Sequence, residues 1–386
     1  MDVRWTEEQE LLRRSARALL ARECPVSEVR ARMEAPNGAD DPLWKRLGEV
    51  GWLGLLVPEE LGGEGLGFLE GAVLLEEMGR VLLPLPFLAS VVLAGGALAV
   101  AGDAVQRGRW LPALARGALR ATVALLEDDE RWDAGAVALA ARPAAGGWLL
   151  SGRKRFVLDA ASADLLLVAA RREGELALAA VGARQPGVTV RPTASLDATR
   201  GLAEVRLEDV SVAAEDVLAL GEDGLERLLD RARVALCAEM VGGAEAVLEA
   251  SVAYARTREQ FGRPIGTFQA IQHRCADMLV ALEGARSATW WAAWAIAEAE
   301  REPCAEHAGE AHLASLVAKA CASEAFARIA ADGIQVHGGL GFTWEQDLHL
   351  FYRRAKVSER LFGDPAACRE ALARGWLDTG RRLASP

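Results

Sequence analysis

The chain has 386 residues, half of them hydrophobic and about a quarter charged, with a net charge of −11. That length exceeds what one hydrophobic core usually holds, so two or three domains are expected. An acidic chain is a poor nucleic-acid binder, because phosphate contacts supply most of that affinity. The six cysteines are scattered with no C-x-x-C pair, which reads as free thiols in a reducing, cytoplasmic setting. The N-terminus carries no apolar leader region. The longest apolar stretch, Pro86 to Ala101, is shorter than a membrane span and reads as a buried helix.

Residues 1–118 read as helical. Thr6-Glu-Glu-Gln9 is a capping box before Leu11, Leu12 and Ala16. Asp41-Pro42 sets an N-cap and a Pro at N1 before Trp44 and Leu47, and Pro58 to Gly63 is read as the stop of that helix. Leu74, Leu75, Met78 and Leu82 mark a further helix. Residues 119–222 change period. Short apolar runs such as Thr122–Leu126, Leu165–Ala169, Leu176–Val181 and Ala203–Leu207 alternate with expected turns at Ala-Gly-Gly, Gly152-Arg-Lys and Gln-Pro-Gly. That spacing predicts a β-barrel or sandwich. Residues 223–386 return to long helices, with Val234, Cys237, Val241, Ala244, Leu248 and Val252 in one stripe, and predict a four-helix bundle. Gly242-Gly243 inside the first of these costs about 1 kcal/mol per glycine, which points to a closely packed neighbouring backbone.

Two segments carry the chemistry. Arg258 ends one helix, Phe261-Gly262 turns, and Phe268-Gln269 opens the next; some seventy residues later stand Gln335, His337, Gly338 and Gly339. An arginine, two glutamine amides and closely approachable backbone suit a pyrophosphate and a polar ring. The five histidines offer no ligand pair with an acid, so no metal is expected.

In this order and at this distance from the C-terminus, these segments resemble the flavin-binding part of the acyl-CoA dehydrogenase family. Trp52 to Gly63, Glu76-Glu77-Met-Gly79-Arg80, Asp197-Ala-Thr-Arg200 and Tyr352-Arg-Arg-Ala-Lys356 also resemble family segments, so the likeness covers almost the whole chain. It implies an α+β fold of an N-terminal helical domain, a middle β domain and a C-terminal four-helix bundle. It implies FAD as cofactor and an acyl-CoA thioester as substrate. It also implies a dimer or tetramer, and an electron-transfer flavoprotein as a possible electron acceptor. Arg258, Phe261, Phe268, Gln269, Gln335, Gly338 and Gly339 would touch FAD held mainly by another subunit.

The departures from the family pattern are as informative. The flavin-ring segments of the family are replaced by Leu126-Glu127-Asp128-Asp129-Glu130, read as a solvated acidic loop, and by Phe156-Val157-Leu158, where Phe156 can stack but Leu158 brings no hydroxyl. The family's reaction needs a carboxylate to take the proton α to the thioester carbonyl. Phe362 stands where most members place it, and Ala232, before Arg233, stands where a minority do. Arg233, Phe362 and Gly363 are thus substrate-side residues without a base. Glu239, seven residues after Ala232, and Asp364, which also reads as an N-cap, are the remaining candidates; Glu359 reads as exposed. Two functions stay open: an α,β-desaturating acyl-CoA dehydrogenase with an unusual base, or an inactive partner subunit that completes the FAD site of a heteromeric enzyme.

Overall fold

Thr6 and Gln9 close the expected capping box, each side chain taking the other's backbone N–H at 3.2 and 3.1 Å. They start α1 (Glu7–Glu23), followed by α2 (Val26–Glu34) and α3 (Pro42–Glu49). This is a computed structural model, and it describes residues 5–34 and 41–379, apart from the side chains of 376–379. The N-terminal reading falls in part on residues 1–4, which lie outside the described residues. Asp41 caps α3 by accepting from the N–H groups of Leu43 and Trp44. The helix stops at Glu49, well before Pro58, because Gly51 turns into the left-handed region at φ +79°. Two 3₁₀ turns, Trp52–Gly54 and Glu59–Leu61, fill the interval before α4 (Phe68–Arg80).

The apolar stretch after Pro86 is buried, as expected, but its first part, Leu88–Ala94, is a π-helix. It runs into α5 (Gly95–Ala101) and then α6 (Ala104–Ala115). The strands are β1 (Ala121–Ala124), β2 (Ala140–Ala144), β3 (Gly147–Leu158), β4 (Leu165–Arg172), β5 (Glu175–Gly182), β6 (Val188–Pro192), β7 (Leu202–Ala213) and β8 (Val217–Ala219). They form one eight-stranded sheet in the order β6-β7-β3-β2-β4-β5-β8, with β1 added alongside β4. Most pairings are antiparallel, but β1 and β2 both run parallel to β4. The expected turn at Gly152-Arg-Lys is instead the middle of β3. There a register shift between Leu150 and Gly152 lets the charged residues stay in the strand. Leu150, Val157, Leu166, Val168, Val181, Val205 and Val210 supply the centre of its core.

The C-terminal helices are α7 (Gly221–Thr257), then after a two-residue ladder of β9 (Glu259–Gln260) and β10 (Arg263–Pro264), α8 (Gln269–Arg301), α9 (Ala305–His337), α10 (Leu348–Ser358) and α11 (Pro365–Thr379). Among the described residues no helix is long and apolar enough to cross a membrane. Packing divides the chain into two compact units: residues 30–71 with 84–232, and residues 1–29, 72–83 and 233–386.

In the second unit α7 meets the end of α4 backbone to backbone. A Cβ on Gly242 would overlap the Glu76 carbonyl, and one on Gly79 would overlap that of Glu239. The glycine pair is therefore there for close approach. A charge network surrounds the crossing. Arg286 of α8 pairs with Glu76 and Glu245, Arg80 with Glu245 and Glu249, and Arg17 of α1 with Glu77 at 2.7 Å. Burial pushes the Glu76 carboxyl up to about 7 despite Arg286. Gly242→Ala should cost about 3 kcal/mol, since the overlapping atoms are backbone and cannot swing aside. Urea unfolding of the variant beside Gly284→Ala, whose added Cβ meets open space, checks this; equal stability of the two would contradict it.

Candidate flavin and acyl-CoA site

The hairpin between α7 and α8 is built by its turn. Phe261 and Gly262 both hold positive φ, +54° and +76°, the geometry of a two-residue loop that matches strand twist. The Ile265 N–H donates to the Arg258 carbonyl at 2.8 Å and closes the loop. Phe261 at the tip is 92% exposed. Phe268 packs edge-on to it at 6.1 Å, under the Arg263 guanidinium at 4.2 Å. Gln269 opens α8 with an exposed side chain. The Arg258 guanidinium and the Gln269 amide have no partner among the described residues.

The end of α9 lies at the same end of the bundle. Tyr254, one turn before Arg258, stacks on His337 at 4.2 Å, and Arg274 of α8 pairs with Asp332 of α9. His337 sits against the Gly333 carbonyl at 2.9 Å, and burial lowers its pKa, so the neutral ring packs. Gly338 breaks the helix at φ +62°, and nothing fills the space where its Cβ, or that of Gly339, would lie. Gln335 is exposed, its amide without a partner among the described residues. One end of the bundle thus carries an unpaired guanidinium, two unpaired amides, an exposed phenyl and open glycine backbone. That donor set fits the anionic pyrophosphate of a dinucleotide.

In the β domain the acidic loop is exposed at Asp128, Asp129 and Glu130, as expected, while Glu127 turns inward. Glu127 accepts from the N–H groups of Ala138 and Leu139 and from Lys154 Nζ at 2.6 Å, and Lys154 is fully buried. Asp128 takes Arg153 at 2.7 Å, Glu130 takes Arg155 at 2.9 Å, and Asp129 takes Arg131. Three of the loop's acids are matched by cations of β3 and the fourth by Arg131 of the loop itself, which offsets the repulsion it would present to an anion. Phe156 holds φ +48° and has the Arg155 guanidinium over one face at 4.8 Å. Leu158 is buried, and its carbonyl accepts from Thr122 Oγ1 at 2.7 Å.

The two base positions hold no carboxylate. Phe362 is 1% exposed at φ +60°, its carbonyl accepting from Arg233 Nε at 3.0 Å. Gly363 follows at φ +104°. Ala232 is fully buried. Asp364 caps α11: it accepts from the Ala367 N–H at 2.8 Å and pairs with Arg360. The Ala367 hydrogen bond holds its carboxyl below the ordinary range, and so makes it a weak proton acceptor. Glu359 pairs with Lys356. Glu239 lies 4.0 Å from buried Arg354. Among the described residues no group of three metal-ligating side chains exists. Lys154 and Lys319, both fully buried, escaped the sequence reading because a lone lysine on a strand or helix reads as surface.

Fold and site together define an acyl-CoA-handling flavoprotein class. Three family models match in sequence order: the acyl-CoA dehydrogenase N-terminal domain at residues 6–118, the middle domain at 122–210 and the C-terminal domain at 222–377. The chain belongs to the acyl-CoA dehydrogenase family and is a flavoprotein whose cofactor is FAD. It is 34% identical to acyl-CoA dehydrogenase IpdE2 of Mycobacterium tuberculosis over 95% of this chain and 96% of that one. Among solved structures, the ChsE4-ChsE5 complex of Mycobacterium tuberculosis matches with TM-score 0.87 and 29% identity over the whole of both chains. A Tcur3481-Tcur3483 steroid acyl-CoA dehydrogenase matches at 0.85 and 32%, over 97% and 99% of the two chains. An acyl-CoA dehydrogenase of Bacillus anthracis complexed with FAD matches at 0.91 and 25%, covering all of this chain and 71% of that one.

If Asp364 is a cap, Asp364→Ala should lower stability by about 1 kcal/mol while Asp364→Asn stays near the parent. Paired urea titrations read the difference. Equal losses in both variants would show that the charge, not the cap, matters.

Proposed function

We propose that this chain is the base-lacking subunit of a heteromeric acyl-CoA dehydrogenase. A neighbouring subunit of the same family carries the carboxylate, and the assembly desaturates an acyl-CoA between Cα and Cβ. The observation that carries this reading is Phe362: a phenyl ring that cannot accept a proton, buried and with its backbone tied to Arg233. Ala232 leaves the second base position equally empty.

In this reading Arg258, Phe261, Phe268, Gln269, Gln335, Gly338 and Gly339 reach FAD bound mainly by the neighbour. Their unpaired donors and their exposure in the single chain support that role. FAD, when bound, supplies the hydride acceptor for the β-carbon, and the neighbour's carboxylate takes the α-proton. Electrons then pass to an electron-transfer flavoprotein. Two similar structures named as two-component assemblies, ChsE4-ChsE5 and Tcur3481-Tcur3483, support the pairing. The second is named a steroid enzyme, which supports a bulky, polycyclic acyl group as the substrate class. In the β domain Phe156 and Leu158 stand at this chain's own ring segment, and Leu158 brings no hydroxyl to help seat a flavin.

The alternative is a homo-oligomer in which Glu239 takes the proton. Its setting beside Arg354 favours a structural ion pair instead.

Two outcomes follow. Arg258→Ala in the assembled protein should weaken FAD retention by about 1.5–3 kcal/mol, the loss of one charge-assisted bond; flavin released per subunit on dialysis measures it, and unchanged retention would remove Arg258 from the site. Expressed alone, the chain should carry less than one FAD and turn over acyl-CoA at least about 10²-fold below an ordinary dehydrogenase. A fully flavinated homo-oligomer with normal turnover would refute the base-lacking assignment.

A further inference from the structure

The segment joining α10 to α11 carries Phe362, and two buried cations grip it from below. Lys319 of α9 is fully buried. Its ammonium donates to the Ser358 carbonyl at 3.2 Å, the Glu359 carbonyl at 3.0 Å and the Ser323 hydroxyl at 3.0 Å. All three ammonium protons are thereby used. Among the described residues no carboxylate accepts from it, so the ion is held by neutral oxygens, at a real desolvation cost. Burial lowers its pKa accordingly. Two of the acceptors lie at the C-terminal end of α10, where carbonyls lack helical partners and the helix dipole favours a cation.

A cap alone would explain a lysine here. Three residues further on, however, Arg233 Nε donates to the Phe362 carbonyl at 3.0 Å, again in a buried setting. At the second anchor the chain adopts φ +60° at Phe362, and Gly363 just beyond it holds +104°. The left-handed region is unfavourable for a bulky side chain, and such a conformation persists only where its surroundings over-determine it. Five residues of backbone are thus fixed at both ends by buried cations, with the strained residue at one of them.

We propose that Lys319 is a positioning residue, which together with Arg233 fixes the backbone from Ser358 to Phe362 and so sets where residue 362 stands against the acyl-CoA. The functional half of this rests on the reading of Phe362 as a substrate-side residue; the mechanical half does not. The clamp acts through the backbone, so it is indifferent to the side chain at 362.

The test uses the full chain labelled with 4-fluorophenylalanine. Its nine phenylalanines give separate fluorine resonances, and the Phe362 signal is the one missing from Phe362→Leu. In Lys319→Met that signal should shift or split while the Phe68 and Phe87 signals stay in place. Amide hydrogen exchange at Glu359 to Gly363 should quicken by about tenfold or more, without a matching rise in the strands. Lys319→Arg should recover part of both effects. Should Lys319→Met not fold, Lys319→Gln, which keeps two N–H donors, carries the same readouts. An unmoved Phe362 signal with unchanged exchange would overturn the clamp. So would exchange rising equally throughout the chain, the mark of a merely structural lysine. Adding an acyl-CoA to the parent protein reads the other half separately. A moved Phe362 signal supports the substrate-side placement. An unmoved one would overturn that placement and the functional half of the proposal, while leaving the clamp standing.

Discussion

The backbone contact between α4 and α7 is the constraint on which much of the helical unit depends. Gly79 and Gly242 let the two helices meet with no side chain between them. Because the approach is so close, Glu76 and Glu77 on one helix and Glu245 on the other are drawn into one small volume. Like charges at that separation repel strongly in a low-dielectric setting. Arg17, Arg80 and Arg286 from three helices answer them. Such a network gains little net stability, since desolvation offsets most of the attraction. What it supplies is register: α1, α4, α7 and α8 can satisfy those carboxylates in one arrangement only. A one-residue slide of α7 would bury carboxylates without partners, which is far more costly than the network is favourable.

That register has consequences at both ends of α7. Near residue 233 it presents Arg233 to the Phe362 carbonyl; at residue 254 it presents Tyr254 to His337. The three phenylalanines singled out as site residues, Phe156, Phe261 and Phe362, all hold positive φ. Each stands in a different local setting: a register shift within β3, a two-residue hairpin loop, and an interhelical segment. Backbone strain of this kind gathers where a side chain must be held in one place. Leu82, Glu130, Asp159, Glu173 and Asp209 hold positive φ as well, so the strain is not confined to these three.

How much of this was legible in the sequence depended on range. The Thr6 and Asp41 caps and the Phe261-Gly262 turn are settled by residues within four positions of one another, and local chemistry revealed them. The close packing at Gly242 was legible as a cost that needed a reason, although the partner, Glu76, was not. The reading failed where charges find partners far along the chain. Gly152-Arg-Lys read as a turn between apolar runs, whereas it continues β3, with Asp128 and Glu127 receiving Arg153 and Lys154 across some twenty-five residues. Residues 128–130 are exposed as read, and what the sequence did not reveal is the inward turn of Glu127 onto buried Lys154. The π-helix after Pro86 was invisible for another reason: an all-apolar run has no period to read.

The two buried lysines show why composition alone could not find the site's supports. Lys154 meets a carboxylate, so its burial is compensated by charge and it can serve as a fixed strut of the β domain. Lys319 meets only carbonyls and a hydroxyl. An ammonium so placed contributes little favourable Coulomb energy from any paired ion. Its stabilisation depends on the carbonyl dipoles holding their positions, and their positions depend on it. That mutual dependence couples the ordering of the segment before Phe362 to the burial of one cation. In the proposed reading it holds the backbone at Phe362, where the family resemblance places a base. Stiffness without the carboxylate is what a subunit would retain if its remaining task were to shape an acyl-CoA site rather than to move the proton.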